Sequence, residues 1–293
     1  MMLMASGGGA APVTYTISGT VYDADGTTTV EGATVALGAL SAVSAADGTY
    51  TIADVPSGTS GTMSCTKTGY SWVSKSIASM SGDLTAQNFV NWWWAVGGIA
   101  EICIGAYQPM GAASLAASYI NLANPTNNAA PGSAPSFDTA VGWTFSDTHW
   151  LGTNIIAAAN YSMIGRFSGT TARASGHCVM GCGSLSTNRL YVLPGLDVSN
   201  RAFGYGLHKS FAGAVDNGVM AIAGENCYYN GAVDGVTAGS ITSGELEIQF
   251  GRRWKGSGFD FPLNGNIQAA AIYSAVLTAP QVAALTTAIN NLP

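Results

Sequence analysis

Closely spaced turns constrain this chain more than any other feature: apolar and polar residues alternate in short runs, and Gly, Asp, Asn or Pro closes almost every one. Val13, Tyr15, Ile17, Gly19 and Val21 alternate with Thr14, Thr16, Ser18 and Thr20, the period-two signature of a strand with one buried face. "DADG" follows, where Asp23, Asp25 and Gly26 suit local side-chain hydrogen bonds and positive φ. "GATVALG", "GTYTIADV" and "GTMSCTKTGY" repeat the pattern, placing Val35 and Leu37, Tyr50 and Ile52, and Met63 and Cys65 on inward faces. Asp47-Gly48 and Pro56-Ser57-Gly58 separate these strands. So many short strands predict an antiparallel sandwich over 13–90.

The 293 residues are enough for two domains of roughly 100–200 residues. Strand patterning returns over 99–293: Tyr161, Met163 and Phe167 alternate with Ser162 and Arg166, and Leu246, Ile248 and Phe250 with Glu245, Glu247 and Gln249. One convincing helix closes the chain, with Thr278 as cap, Pro280 in the first turn, and Val282, Leu285 and Ile289 on one face. The fold class predicted is therefore all-β, a small sandwich followed by a larger one with a short C-terminal helix.

Charge excludes some partners. Only 9% of residues are charged, the net charge is −6 and Lys plus Arg number 10, so nucleic-acid phosphates have little to bind. No apolar run approaches the ~20 residues that span a bilayer, which argues against membrane insertion. No Lys or Arg precedes Lys67, so residues 1–12 read as a flexible Gly-rich arm rather than an export signal. Cys65, Cys103, Cys178, Cys182 and Cys227 are odd in number and scattered, and read as mostly free, partly buried thiols of a protein folded in a reducing cytoplasm.

The blocks "ISGTVYDADGTTTVEGATVAL", "AADGTYTIADVPSG" and "KTGY" resemble the carboxypeptidase regulatory-like domain, a transthyretin-like or immunoglobulin-like β-sandwich. The resemblance implies turns or close approaches at Gly19, Gly32 and Gly48, a core position for Tyr50, and an accessory rather than catalytic duty. "GWTFSDTHWLGT", "YSMIGRFSG", "MAIAGENCYYNGAVDG" and "EIQFGRRWKGSGFDFPLNGNIQAAAIYSAVLTAPQVAAL" resemble, in order, the concanavalin A-like, laminin-G-like jelly roll. Asn230-Gly231 would form its tight hairpin turn. The resemblance implies no cofactor other than a calcium ion on the jelly-roll rim, for which the chain has no Asp-rich loop.

Candidate sites are few. Jelly-roll glycosidases need paired carboxyl groups, and their E-x-D-x-x-E cluster is absent; Glu245 and Glu247 share a strand face and read as solvated. His177, Cys178 and Cys182 in "GHCVMGCG" lack a fourth ligand of standard spacing for a metal and read as buried thiols beside a histidine. His149 and His208 stand in no nucleophile motif. In "GRRWKGSGFDF", Arg252, Arg253 and Lys255 flank Trp254, a cation-and-aromatic combination suited to a carbohydrate or a protein partner, or a solvated loop.

Trp92, Trp93 and Trp94 fall in the junction 91–98 and read as extended chain, a domain seam or subunit interface. Adhesion-type modules, no export signal and free cysteines together point to a non-enzymatic bacteriophage virion structural protein: a head decoration, fibre or tail adhesin on the virion surface. Its expected partners are other virion proteins, copies of itself and cell-surface polysaccharide. The alternative is a secreted, extracellular bacterial carbohydrate-binding or glycoside-hydrolase accessory protein.

Overall fold

The first predicted strand runs Thr14–Tyr22 and pairs antiparallel with Thr49–Pro56 and parallel with Phe89–Val90. The structure, a computed structural model, describes residues 12–23, 27–68, 70, 72–170, 176–183, 188–241 and 246–292. Residues 1–11 of the N-terminal arm, Asp25 and Gly26 of the first turn, and Glu245 lie outside them. The chain is all-β and forms two compact units, divided between Ala95 and Val96.

In the first unit a second sheet, ordered Leu40–Val43, Thr34–Leu37, Gly61–Thr66 and Lys75–Ile77, completes the sandwich. Its core takes alternate residues from both sheets, Ile17, Val21, Val35, Tyr50, Ile52, Met63 and Phe89 among them. Tyr50 is buried because its hydroxyl has a partner, donating to the Gln87 carbonyl at 2.6 Å. Trp93–Ala95 forms a single 3-10 turn, not the extended segment expected of the tryptophan triplet. Trp93 and Trp94 are buried in it, and the rings of Trp92 and Trp94 stack at 6.3 Å.

The second unit is a larger sandwich of two sheets. One runs Ser136–Asp138, Gly142–Phe145, Gly265–Tyr273, Ser162–Ser168, Gly218–Ala223, Asn226–Tyr229 and Ala232–Val236, with Cys103–Tyr107 also paired to Gly265–Tyr273. The other runs Asn200–Ala212, Arg189–Leu193, Met180–Cys182, Glu247–Phe250, Trp150–Ile156 and Ala130–Ser133. Met163, Met220 and Ile272 face the core between the sheets, whereas Ile164, Ala221 and Ala271, in register across three strands, form the first sheet's other face. Alanines there let the helix Ala279–Asn290 come close with Val282, Leu285 and Ile289, all buried. The turn at Asn230 (φ 48°) and Gly231 (φ 81°) is the hairpin the Asn-Gly pair predicts.

Both ends of that helix are held. Gln281 accepts a hydrogen bond from the Thr278 backbone N–H at 2.8 Å, and Pro280 occupies the first turn. At the other end Arg166 Nη1 donates to the carbonyls of Ile289 (3.0 Å) and Leu292 (3.3 Å). Arg166→Ala is expected to cost about 1 kcal/mol; faster amide exchange over the last helical turn, with the sheets unaffected, is the result to look for. Among the described residues no helix is long and apolar enough to cross a membrane.

Candidate functional site

The segment 246–261 builds the site. Ile248 and Phe250 point into the core between the sheets while Glu247 and the buried Gln249 take the sheet's other face, as strand alternation requires. Gly251 then turns the chain at φ 81°, where a Cβ would lie 2.3 Å from the Phe145 ring. Beyond it Arg253–Trp254 runs parallel to Met180–Cys182 and antiparallel to Phe259–Asp260, and the Lys255 N–H donates to the Gly258 carbonyl at 2.9 Å to close the hairpin. The four residues singled out in the sequence thus lie in a structured hairpin and not in a solvated loop: Arg252 is 8% exposed and Arg253 3%, with Trp254 and Lys255 half-buried.

The two arginines are used differently. Arg253 forks onto Asp260, its Nε donating to Oδ1 at 2.7 Å and Nη2 bonding Oδ2, and its guanidinium lies 5.2 Å from the Tyr191 ring and 4.8 Å from Phe261. Lys255 Nζ stands 3.7 Å from the same carboxylate. Arg252 lies 3.6 Å from the Trp150 ring centroid, 4.8 Å from Phe259 and 5.3 Å from Trp254. Its Nε donates to Gln249 Oε1 at 2.7 Å. Gln249 Nε2 in turn donates to Glu247 Oε2 at 2.9 Å, and the Asn154 backbone N–H to Glu247 Oε1 at 2.7 Å. A register shift in Trp150–Ile156, with Asn154 at φ 56°, swings that N–H out of the ladder toward the carboxylate.

Trp150 can lie flat because Gly132 sits beneath it; a Cβ there would fall 1.7 Å from the indole. Half-buried Trp150 and Trp254 and the 47% exposed Phe259 therefore frame Arg252 at the surface. Trp150, Gln249 and Phe259 escape the sequence reading. Phe259 and Asp260 stand in the quoted segment, but Trp150 is a hundred positions away and only the sheet register brings it in.

The remaining candidates separate. Cys178 joins Tyr191, Leu193 and Ala202 in a small cluster, whereas Cys182 belongs to the core between the sheets, so the three residues of "GHCVMGCG" do not converge. His177 Nδ1 accepts the Asn264 N–H at 3.2 Å. Among the described residues no three His, Cys, Asp or Glu side chains are grouped to hold a metal ion. His149 Nδ1 accepts the Ser146 N–H at 3.2 Å. His208 Nδ1 meets the Tyr191 hydroxyl at 2.5 Å, and burial, then Arg189 and Arg253, pull its pKa below the usual histidine value. All five cysteines are free and buried, and burial pushes the thiols of Cys65, Cys103, Cys182 and Cys227 up to about 12 and that of Cys178 well above its ordinary value.

No protein-family model matches this chain, and no curated protein matches it. Among solved structures, parts of it are similar to the receptor-binding domain of botulinum neurotoxin D (12% identity, TM-score 0.45, 64% of this chain and 53% of that one). They are similar also to domain 4 of AbnA, an extracellular arabinanase from Geobacillus stearothermophilus, in complex with arabinotriose (15%, 0.43, 63% and 98%). A third is a Trypanosoma rangeli sialidase mutant displaying trans-sialidase activity (12%, 0.44, 65% and 34%). The match spans about half the length of the neurotoxin chain.

Proposed function

We propose that this chain is a non-enzymatic glycan-binding structural protein on the surface of a bacteriophage virion, and that the hairpin 252–261 with Trp150 is its sugar-binding face. The observation that carries the reading is the aromatic frame around Arg252: two tryptophans and a phenylalanine close to one guanidinium at the surface. Sugar rings present C–H faces that pack on aromatic rings and hydroxyls that take hydrogen bonds from fixed donors. Glu247 has a different duty. Both of its oxygens already accept hydrogen bonds from the protein, which suits a carboxylate that holds Gln249, and through it Arg252, in place.

The virion setting is supported by the thiols. Five buried, protonated cysteines suit a protein assembled in a reducing cytoplasm and later exposed to oxidants outside, because it is the thiolate that reacts.

Glycan-array binding by the full chain is expected, with Trp254→Ala weakening it about tenfold or more. Antibody against the chain should decorate intact phage particles in negative stain, and bound oligosaccharides should come back uncleaved. Release of new reducing ends would overturn the non-enzymatic part, undecorated particles the virion part, and an empty array the glycan part.

A further inference from the structure

We infer that the saccharide bound at this face is acidic, and that its carboxylate or sulfate caps the outer edge of the Arg252 guanidinium. The inference rests on the glycan-binding reading above and names the class of sugar. Arg252 is buried to 8% exposure, yet its only hydrogen-bond partner among the described residues is the neutral amide of Gln249. Its terminal nitrogens have no partner among the described residues and are not sealed from solvent. Burying a cation is costly unless an anion answers it.

Two arginines of the same unit show what such an answer looks like. Arg253 forks onto Asp260 and Arg201 onto Asp234, each through Nε and Nη2. No carboxylate of the described residues lies within salt-bridge distance of Arg252. Glu247, the acid whose charge reaches it, has both oxygens engaged by Asn154 and Gln249. Desolvation lowers the Arg252 pKa to about 10, which still leaves it fully charged at neutral pH.

The surroundings favour an anion as well. Arg253 and Lys255 share the single carboxylate of Asp260, which leaves one positive charge over in the hairpin beside Arg252. In a chain of net charge −6, this is a local positive field and not a general affinity for anions. Trp150, Trp254 and Phe259 close around the guanidinium, while its unsatisfied edge has the planar two-donor form that carboxylates and sulfates match.

The test uses the full chain and a panel of defined probes: oligogalacturonate and sialyllactose for carboxylate, heparin-derived oligosaccharides for sulfate, and lactose and cellohexaose as neutral sugars. Acidic probes are expected to bind about tenfold or more tightly than neutral ones, with the preference lost in Arg252→Gln. The carboxylate and sulfate arms report which group is taken. Oligogalacturonate against its methyl ester, compared on the unmutated chain, keeps the test decisive should Arg252→Gln fail to fold: equal binding of the two overturns the inference. Neutral sugars bound as tightly as acidic ones, with Trp254→Ala still damaging, would leave glycan binding standing and remove the acidic preference. No binding to any probe would remove both.

Discussion

Trp143→Ala is expected to destabilise the second unit by about 3–5 kcal/mol, lowering its melting temperature by roughly 6–20 °C. Trp143 is fully buried on the strand Gly142–Phe145, and its ring meets Tyr107 at 6.3 Å, Tyr119 at 6.0 Å, Phe145 at 6.3 Å and Phe250 at 5.5 Å. Its indole N–H donates to the Ser118 hydroxyl at 2.7 Å, so truncation removes a buried hydrogen bond together with the volume. Its aromatic neighbours, held on three strands and at the end of the short helix Leu115–Ser118, cannot close in on the gap, which puts the loss toward the upper end of the range. Calorimetry and urea midpoints check it, and a loss under about 1 kcal/mol would mean that the core collapses around the site far better than its packing implies.

Arg253→Ala is expected to cost about 1.5–3 kcal/mol, the loss of charge-assisted hydrogen bonds to Asp260, which keeps Lys255 at 3.7 Å and some solvent. Asp260 would lose both donors of the fork, and Tyr191 and Phe261 would lose the cation beside them. Because Asp260 is on the returning arm of the hairpin, Trp254 and Phe259 should lose their fixed positions and glycan binding should fall with stability. A double-mutant cycle with Asp260→Asn separates the pair's coupling from the lost stacking. If Arg253→Ala melted as the unmutated protein does, the ion pair would be ornamental.

Much of the fold was legible because it depends on neighbours in sequence. Ile17 and Val21, Val35 and Leu37, and Tyr50 and Ile52 occupy the core positions that alternation gave them. Thr278 caps the terminal helix, and its apolar stripe is buried as its spacing predicts. The site was legible only in part. "GRRWKGSGFDF" was identifiable as chemically unusual, but the burial of Arg252 and Arg253 depends on Asp260 across a hairpin and on Trp150, which joins through the sheet. His177, Cys178 and Cys182 look like a cluster in sequence because they are close along the chain. Only Cys182 stands on the strand Met180–Cys182; His177 and Cys178 precede it outside the strand, and Cys178 enters a different cluster. For the tryptophan triplet, alternation assumes a strand, whereas Trp93–Ala95 is a 3-10 turn in which the rings of Trp92 and Trp94 still stack on one another.

The strand Gly265–Tyr273 pairs with Gly142–Phe145, Ser162–Ser168 and Cys103–Tyr107, so the last strand of the chain lies inside its sheet and not at an edge. On the ribosome, the earlier partners emerge with an empty lane between them. The apolar sides of those strands stay open until Gly265–Tyr273 has been made, and pairing across such sequence separations is slow. The first sheet of the larger sandwich thus closes only once that strand is in place, and a chain lacking it would offer bare strand edges to its neighbours.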